Sequence, residues 1–303
     1  MKIKIVNTSI SLCVIAAFFV VMLLPLAVFS DEEESSQQDT PEWIERINFG
    51  VEAGTDQKLR AYFETVQPLH QDFDKEHTVF IQPRFSYYDD DAAYNLGLGY
   101  RRLLNDNSIL LGTNVFFDYE NDDQHYRTGV GFEAFWNLIE CRLNTYIGLS
   151  PRRLVNQTGS QRSYEKAVDG LDYEFGLPLP YMNWVKLFGG GFWYDYEKFS
   201  DKQGWRIRTE LKPFTFSTIN FITYDDNKGE QEYRVDARIT LPFGAGGSEE
   251  SRKFCNIGFS KEAYPEKVDH SDRTLDRVER QHAIEVERYT ETASGTIEIR
   301  RGD

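Results

Sequence analysis

Residues 95–136 read NLGLGYRRLLNDNSILLGTNVFFDYENDDQHYRTGVGFEAFW, and their side chains fall alternately on two faces. In the first run Leu96, Leu98 and Tyr100 share one face, and Gly97, Gly99 and Arg101 the other. Over 109–119, Leu111, Thr113, Val115 and Phe117 oppose Gly112, Asn114, Phe116 and Asp118. Over 126–136, Thr128, Val130, Phe132 and Trp136 oppose Arg127, Gly129, Gly131 and Glu133. Period two sustained over about ten residues is the signature of a β-strand with two unlike faces. Asn105, Asp106 and Asn107 supply a turn between two of these runs.

The same pattern extends outward at 47–53, 59–65, 79–88, 139–149, 171–177, 185–194, 205–211, 216–224 and 233–241. It predicts an all-β, antiparallel fold of about twelve strands. In 185–194 the glycines 189–191 blur the alternation, as Thr and Ser do in 216–224, and a bulge there would reset the register.

Alternation alone fits a secreted β-sandwich as well as a membrane barrel. Three features favour the barrel. Its strands are about ten residues long, enough to cross hydrocarbon at a tilt, whereas globular strands average about five or six. Tyr, Trp and Phe recur at strand ends, where interfacial girdles sit. The turns alternate between short (136–138, 212–215) and long, charged ones (119–125, 151–166, 196–203, 225–230), as outer-membrane barrels require.

Composition agrees. The 303 residues include 22 Phe, 17 Tyr and 22 Gly, with a net charge of −15. That acidity argues against nucleic acid as a partner. A mean hydropathy of −0.53 excludes a polytopic helical membrane protein. The one long apolar run, residues 12–29, follows Lys2 and Lys4, so residues 1–30 read as a secretory signal, with a retained anchor as the alternative. Residues 31–42 form an acidic spacer, 43–243 the barrel, and 244–303 a linker and helix-like segment. Within the last, 272–282 is polar with Leu275 and Val278 three apart, and 284–289 and 296–299 alternate like extended chain.

By parity the lumen is lined by Arg101, Asn114, Asp118, Arg127, Glu133, Arg142, Asp172, Glu174, Arg206, Arg208, Arg234, Asp236 and Arg238. The bland reading is ion-pair ladders that stiffen the wall. The functional one is a polar surface that solvates something lodged in or passing through the lumen. Lumenal Gly97, Gly99, Gly112, Gly129, Gly131, Gly148 and Gly176 are expected to leave space for it. The segment 272–287 is the candidate plug, through Arg273, Arg277, Val278, Glu279 and Arg280. No catalytic, cofactor or metal motif is read: the five His are scattered, no nucleophile elbow is present, and an enzyme is not expected. Cys141 faces lipid by parity, which argues against a disulfide with Cys255.

The stretch 95–136 resembles the β-domain of the intimin/invasin family, the inverse autotransporters. The order is a Leu-Gly-Leu-Gly-Tyr-Arg strand (96–101), an Asn/Asp turn, a Gly-x-Asn-x-Phe-x-Asp strand (112–118), an acidic loop with His125, and a Gly-x-Gly-x-Glu strand (129–133). Val278-Glu279-Arg280 followed by Ile284 is similar to the segment after that family's barrel. The resemblance implies a twelve-stranded barrel in the outer membrane of a Gram-negative-type bacterium, with the following segment threading the lumen to display a passenger. It also implies outer-membrane lipid and the barrel-assembly machinery as partners, a monomer, and a role in cell adhesion through an unnamed host ligand. Because the sequence stops at Asp303, little or no passenger is expected here, and a translocator or anchor is the function read. A passive pore or structural barrel is the alternative.

Overall fold

A computed structural model describes residues 43–55, 57–89, 91–240 and 255–299. The signal and spacer readings, and a last strand closing at Phe243, lie outside the described residues.

The main sheet runs β1 (Ile47–Gly54), β2 (Gln57–Thr65), β3 (Gln67–Gln71), β4 (His77–Tyr88), β5 (Asp91–Leu104), β6 (Ile109–Glu120), β7 (His125–Trp136) and β8 (Ile139–Gly148). It continues through β11 (Asp169–Leu179), β12 (Met182–Asp195), β13 (Lys202–Phe214), β14 (Ser217–Asp226) and β15 (Glu232–Thr240). Each pairs antiparallel with its neighbour, β1 pairs with β15, and β2 pairs with β4, so the sheet closes on itself. β3 prolongs β2 beyond Val66 and shares its partner β4, which gives a closed 12-strand antiparallel barrel with one extra strand. All twelve segments read as strands are strands. Closure pairs each of the twelve barrel strands on both sides, as a sheet surrounded by hydrocarbon must be, and leaves an open edge only on the extra strand β3.

β1 begins and β15 ends at the same rim, called here the terminal rim. Its connections are tight: Asn137 turns β7 into β8 with φ of 50°, a conformation Asn tolerates. The opposite, hairpin rim carries the longer connections. One of these corrects the reading of 151–166 as an open loop, because it contains β9 (Arg153–Thr158) and β10 (Gln161–Ala167). β10 pairs with β16 (Val286–Thr292), which pairs with β17 (Gly295–Glu298), in a separate four-stranded sheet.

Two further expectations are overturned. No bulge interrupts 185–194: Gly189, Gly190 and Gly191 pair in unbroken register with both neighbours, and the shifts fall at strand ends instead. The segment 272–282 is not helical, apart from a single 3₁₀ turn at Ser271–Arg273. Cys141 and Cys255 are free thiols.

The faces follow parity. Leu96, Leu98, Val115, Phe117, Phe132, Phe175 and Phe221 all point outward and are exposed, as a lipid-facing belt would be. Inward, the glycines do not leave space as expected; neighbouring side chains or backbone fill it, with a ring the nearest group at three of the seven. A Cβ at Gly97 would stand 2.3 Å from Phe116, at Gly99 2.2 Å from Phe80, and at Gly176 2.0 Å from Phe188. Each of these rings therefore lies flat over a cross-strand glycine, against the wall rather than across the lumen. Gly97→Leu should lower the heat-resistant, inserted fraction, with an overpacking cost of about 1–3 kcal/mol. Phe116→Ala in the same chain should recover part of it; no recovery would show that the ring does not occupy that space.

Candidate functional site

The barrel interior carries a connected set of ion pairs. Arg84 bridges Glu52 (2.7 Å) and Glu64 (3.3 Å), and Arg101 holds Glu133 through Nε and Nη2 (3.0 and 2.8 Å). Arg142 reaches Glu174 (2.9 Å) and Glu140 (2.6 Å), and Arg208 closes on Glu174 (2.6 Å). Asp172 accepts from Asn144 (2.9 Å) and Tyr146 (2.6 Å) and lies 3.6 Å from Arg206. Asp236 accepts from Tyr62 (2.6 Å) and Asn220 (3.0 Å). Asn114 is buried beside Gly131. These are the cross-strand ladders that alternating charges on one face produce.

Residues 270–285 run through this set from rim to rim. At the terminal rim the His270 N–H donates to Asn107 O (2.9 Å), and Arg273 grips Glu140 (2.8 and 3.1 Å). Arg277 then meets Glu64 (2.8 Å) and Glu279, and Glu279 faces Arg238 (3.4 Å). Val278, fully buried, packs with Val66, Phe80 and Phe116. Arg280 forms a two-armed pair with Asp118 (2.7 and 2.8 Å). Asp118 also accepts from Arg127 Nε (2.7 Å) and Asn95 (2.7 Å), so both its oxygens are fully engaged.

The backbone of this segment is served by wall side chains. Arg101 donates to Thr274 O (3.1 Å) and Asp276 O, Asn144 to Glu279 O (3.2 Å), Arg127 to Gln281 O, and Asn95 to His282 O (3.2 Å). In the other direction Val278 N–H donates to Gln82 Oε1 (2.9 Å), Gln281 N–H to the Tyr146 hydroxyl (2.9 Å), and Ile284 N–H to Glu120 (3.0 Å).

All five candidate plug residues thus touch barrel side chains. Arg101, Asp118, Arg127 and Arg238 contact the segment directly, whereas Glu133, Arg142, Asp172, Glu174 and Arg208 support it through their pairs. Arg206 and Arg234 face a cavity of 670 Å³ between the segment and strands β13–β15. The sequence reading passed over Gln82, Asn95, Glu120, Asn144 and Tyr146 as contacts, although parity places them on the lumen face. Four of them are neutral and so stand out less than the charged residues beside them, while Glu120 ends its strand next to an acidic loop.

At the hairpin rim, Glu165 sits between His125 (3.5 Å) and Arg288 (2.7 Å). Burial pushes its carboxyl up, but the neighbouring His125 imidazole and the Arg288 charge together hold it below the ordinary carboxylate range.

Among the described residues no metal-binding cluster is found, and no helix is long and apolar enough to cross a membrane, which says nothing about strands. A family model described as the inverse autotransporter β-domain matches residues 28–275. No curated protein matches the sequence. A membrane-protein structure described as "Unveiling the Mechanism Behind the in-meso Crystallization of Membrane Proteins" is similar at a TM-score of 0.63 and 18% identity, over 80% of this chain and 99% of that one. The KdgM porin is similar at a TM-score of 0.45 and 8% identity, over 64% and 98%. Outer membrane phospholipase A from Escherichia coli follows at 0.41 and 8%, over 66% and 96%.

Asp118→Asn should strand the Arg127 and Arg280 charges and cost about 3–5 kcal/mol, the loss expected on breaking a buried pair. Arg234→Gln, facing the open cavity, should cost about 0–1 kcal/mol. Thermal gel-shift midpoints in detergent compare them; equal losses would contradict the pairing account.

Proposed function

The chain belongs to the inverse autotransporter β-domain family, and on that premise we propose that residues 270–299 occupy the route by which a C-terminal segment reaches the cell surface. The protein is an outer-membrane barrel of the anchor and translocator type. In the reading proposed, the terminal rim is periplasmic, since an even strand count returns both barrel ends to one side. The connections 119–125, 151–166 and 196–203 then lie outside the cell, and β16–β17 is displayed there. The barrel works as a monomer inserted by the barrel-assembly machinery.

One observation supports this most: the series of wall side chains that hydrogen-bond the backbone at seven of the residues from 274 to 284. A wall that binds backbone rather than particular side chains suits a conduit, because many sequences offer the same N–H and C=O groups. The interior charges act alongside it. Arg273, Arg277 and Arg280 find acids on three different parts of the wall, which locks one register once transit ends.

The 670 Å³ cavity beside the segment favours a second reading, a pore with residual conductance. Two experiments separate the readings. In a cysteine-free background, a Cys at Ser160 should react with an impermeant maleimide on intact cells, and a Cys at Asn137 should not. The reverse pattern would overturn the orientation. Deleting residues 252–303 should leave insertion intact and raise single-channel conductance in a planar bilayer. Equal conductance of both chains would mean that the segment does not obstruct the lumen.

A further inference from the structure

Past the barrel, the segment enters a site built from two separate outer connections. β16 adds to the edge of β10 in continuous register, from Ala167↔Val286 to Arg162↔Glu291. Tyr164 and Tyr289 pack with tilted rings whose centres are 5.7 Å apart, both buried. The second part is the β12–β13 connection. There the backbone N–H groups of Glu197, Lys198 and Phe199 all donate to the carboxylate of Glu287, at 3.0, 2.9 and 3.0 Å. Glu287 is completely buried.

Three successive N–H groups converging on one point form an anion-binding nest. A strand edge by itself accepts almost any extended peptide and is weakly specified in register. A nest beside that edge removes the ambiguity, because a slip of one residue would turn Glu287 to the other face of the sheet and leave the three donors unpaired. Such charge-assisted bonds are roughly twice as strong as neutral ones.

The geometry points to a peptide-capture site on the outer rim: the β10 edge takes an extended chain, and the nest at residues 197–199 takes one acidic side chain from it. In this chain that side chain belongs to Glu287. The site works as a catch. It holds the emerged segment in one register and resists its return through the lumen. This rests on the outward orientation proposed above.

Hydrogen exchange on the full chain in lipid nanodiscs tests it. In the unaltered protein the amides of residues 286–292 should be protected. Glu287→Ala should speed their exchange at least tenfold while barrel strands β5–β8 stay protected, and Glu287→Gln should fall between the two. Phe199→Pro, which removes one nest donor but keeps Glu287, should reproduce the acceleration. Lys198→Ala, which keeps all three N–H groups, should leave exchange unchanged. Unaltered protection of residues 286–292 in both Glu287→Ala and Phe199→Pro would overturn the catch. Maleimide labelling of Ser294→Cys on intact cells reads the orientation independently. Labelling without any effect of Glu287→Ala would sink the catch alone, whereas no labelling would sink the outward reading on which it depends.

Discussion

An extended chain inside a β-barrel has no hydrogen-bond partners of its own, since every backbone group of the wall is committed to the sheet. Each amide or carbonyl left unmatched in that confined space costs about 1–3 kcal/mol. The lumen resolves this with side chains. Gln82, Asn95, Arg101, Glu120, Arg127, Asn144 and Tyr146 together serve the backbone from Thr274 to Ile284. Much of the interior composition follows from that need. Arginines that reach a carbonyl with one arm must neutralise their charge with another: Arg101 does so on Glu133 and Arg127 on Asp118. The ion-pair ladders are therefore both the stiffening of the wall and the means of presenting donors to the axis.

The glycines serve the same end from the opposite direction. Phe80 and Phe116 could reach far into the lumen, yet each lies over a glycine of a neighbouring strand. Lying flat, they form the apolar floor on which Val278 rests, next to Val66. Arg280 passes over the Phe116 ring, 4.4 Å from its centre, on its way to Asp118. Apolar seat, cation–π contact and two-armed ion pair meet within three consecutive residues of the segment, a concentration that favours one resting register over its neighbours.

Much of this was legible in the sequence because a barrel strand writes its two environments in alternate residues. Parity alone placed Arg101, Asp118, Arg127, Glu133, Arg142 and Glu174 in the lumen, and the twelve strands emerged from period two. What escaped depends on contacts between distant residues. The stretch 272–282 reads as helix-like because Leu275 and Val278 are three apart, but helix formation chiefly supplies backbone hydrogen bonds, and here the wall supplies them. Nothing local reveals that an Asn at position 95 will serve a carbonyl at position 282. The hairpin β9–β10 was missed for a related reason: its short strands show no apolar alternation, and its pairing partner lies more than a hundred residues later in β16. The glycines were read as empty volume because sequence shows which residue lacks a side chain, not which neighbour fills the gap.

The central claim is that the segment after the barrel rests in the lumen in one register, fixed where Arg280 meets Asp118. Solid-state NMR on the full chain in lipid bilayers tests it most directly, with selective labels on the Arg280 guanidinium and the Asp118 carboxyl carbon. Strong nitrogen–carbon dipolar transfer is predicted, as for N···O contacts of 2.7 and 2.8 Å. No transfer between these groups, in a sample whose Arg127–Asp118 contact is detected, would contradict it.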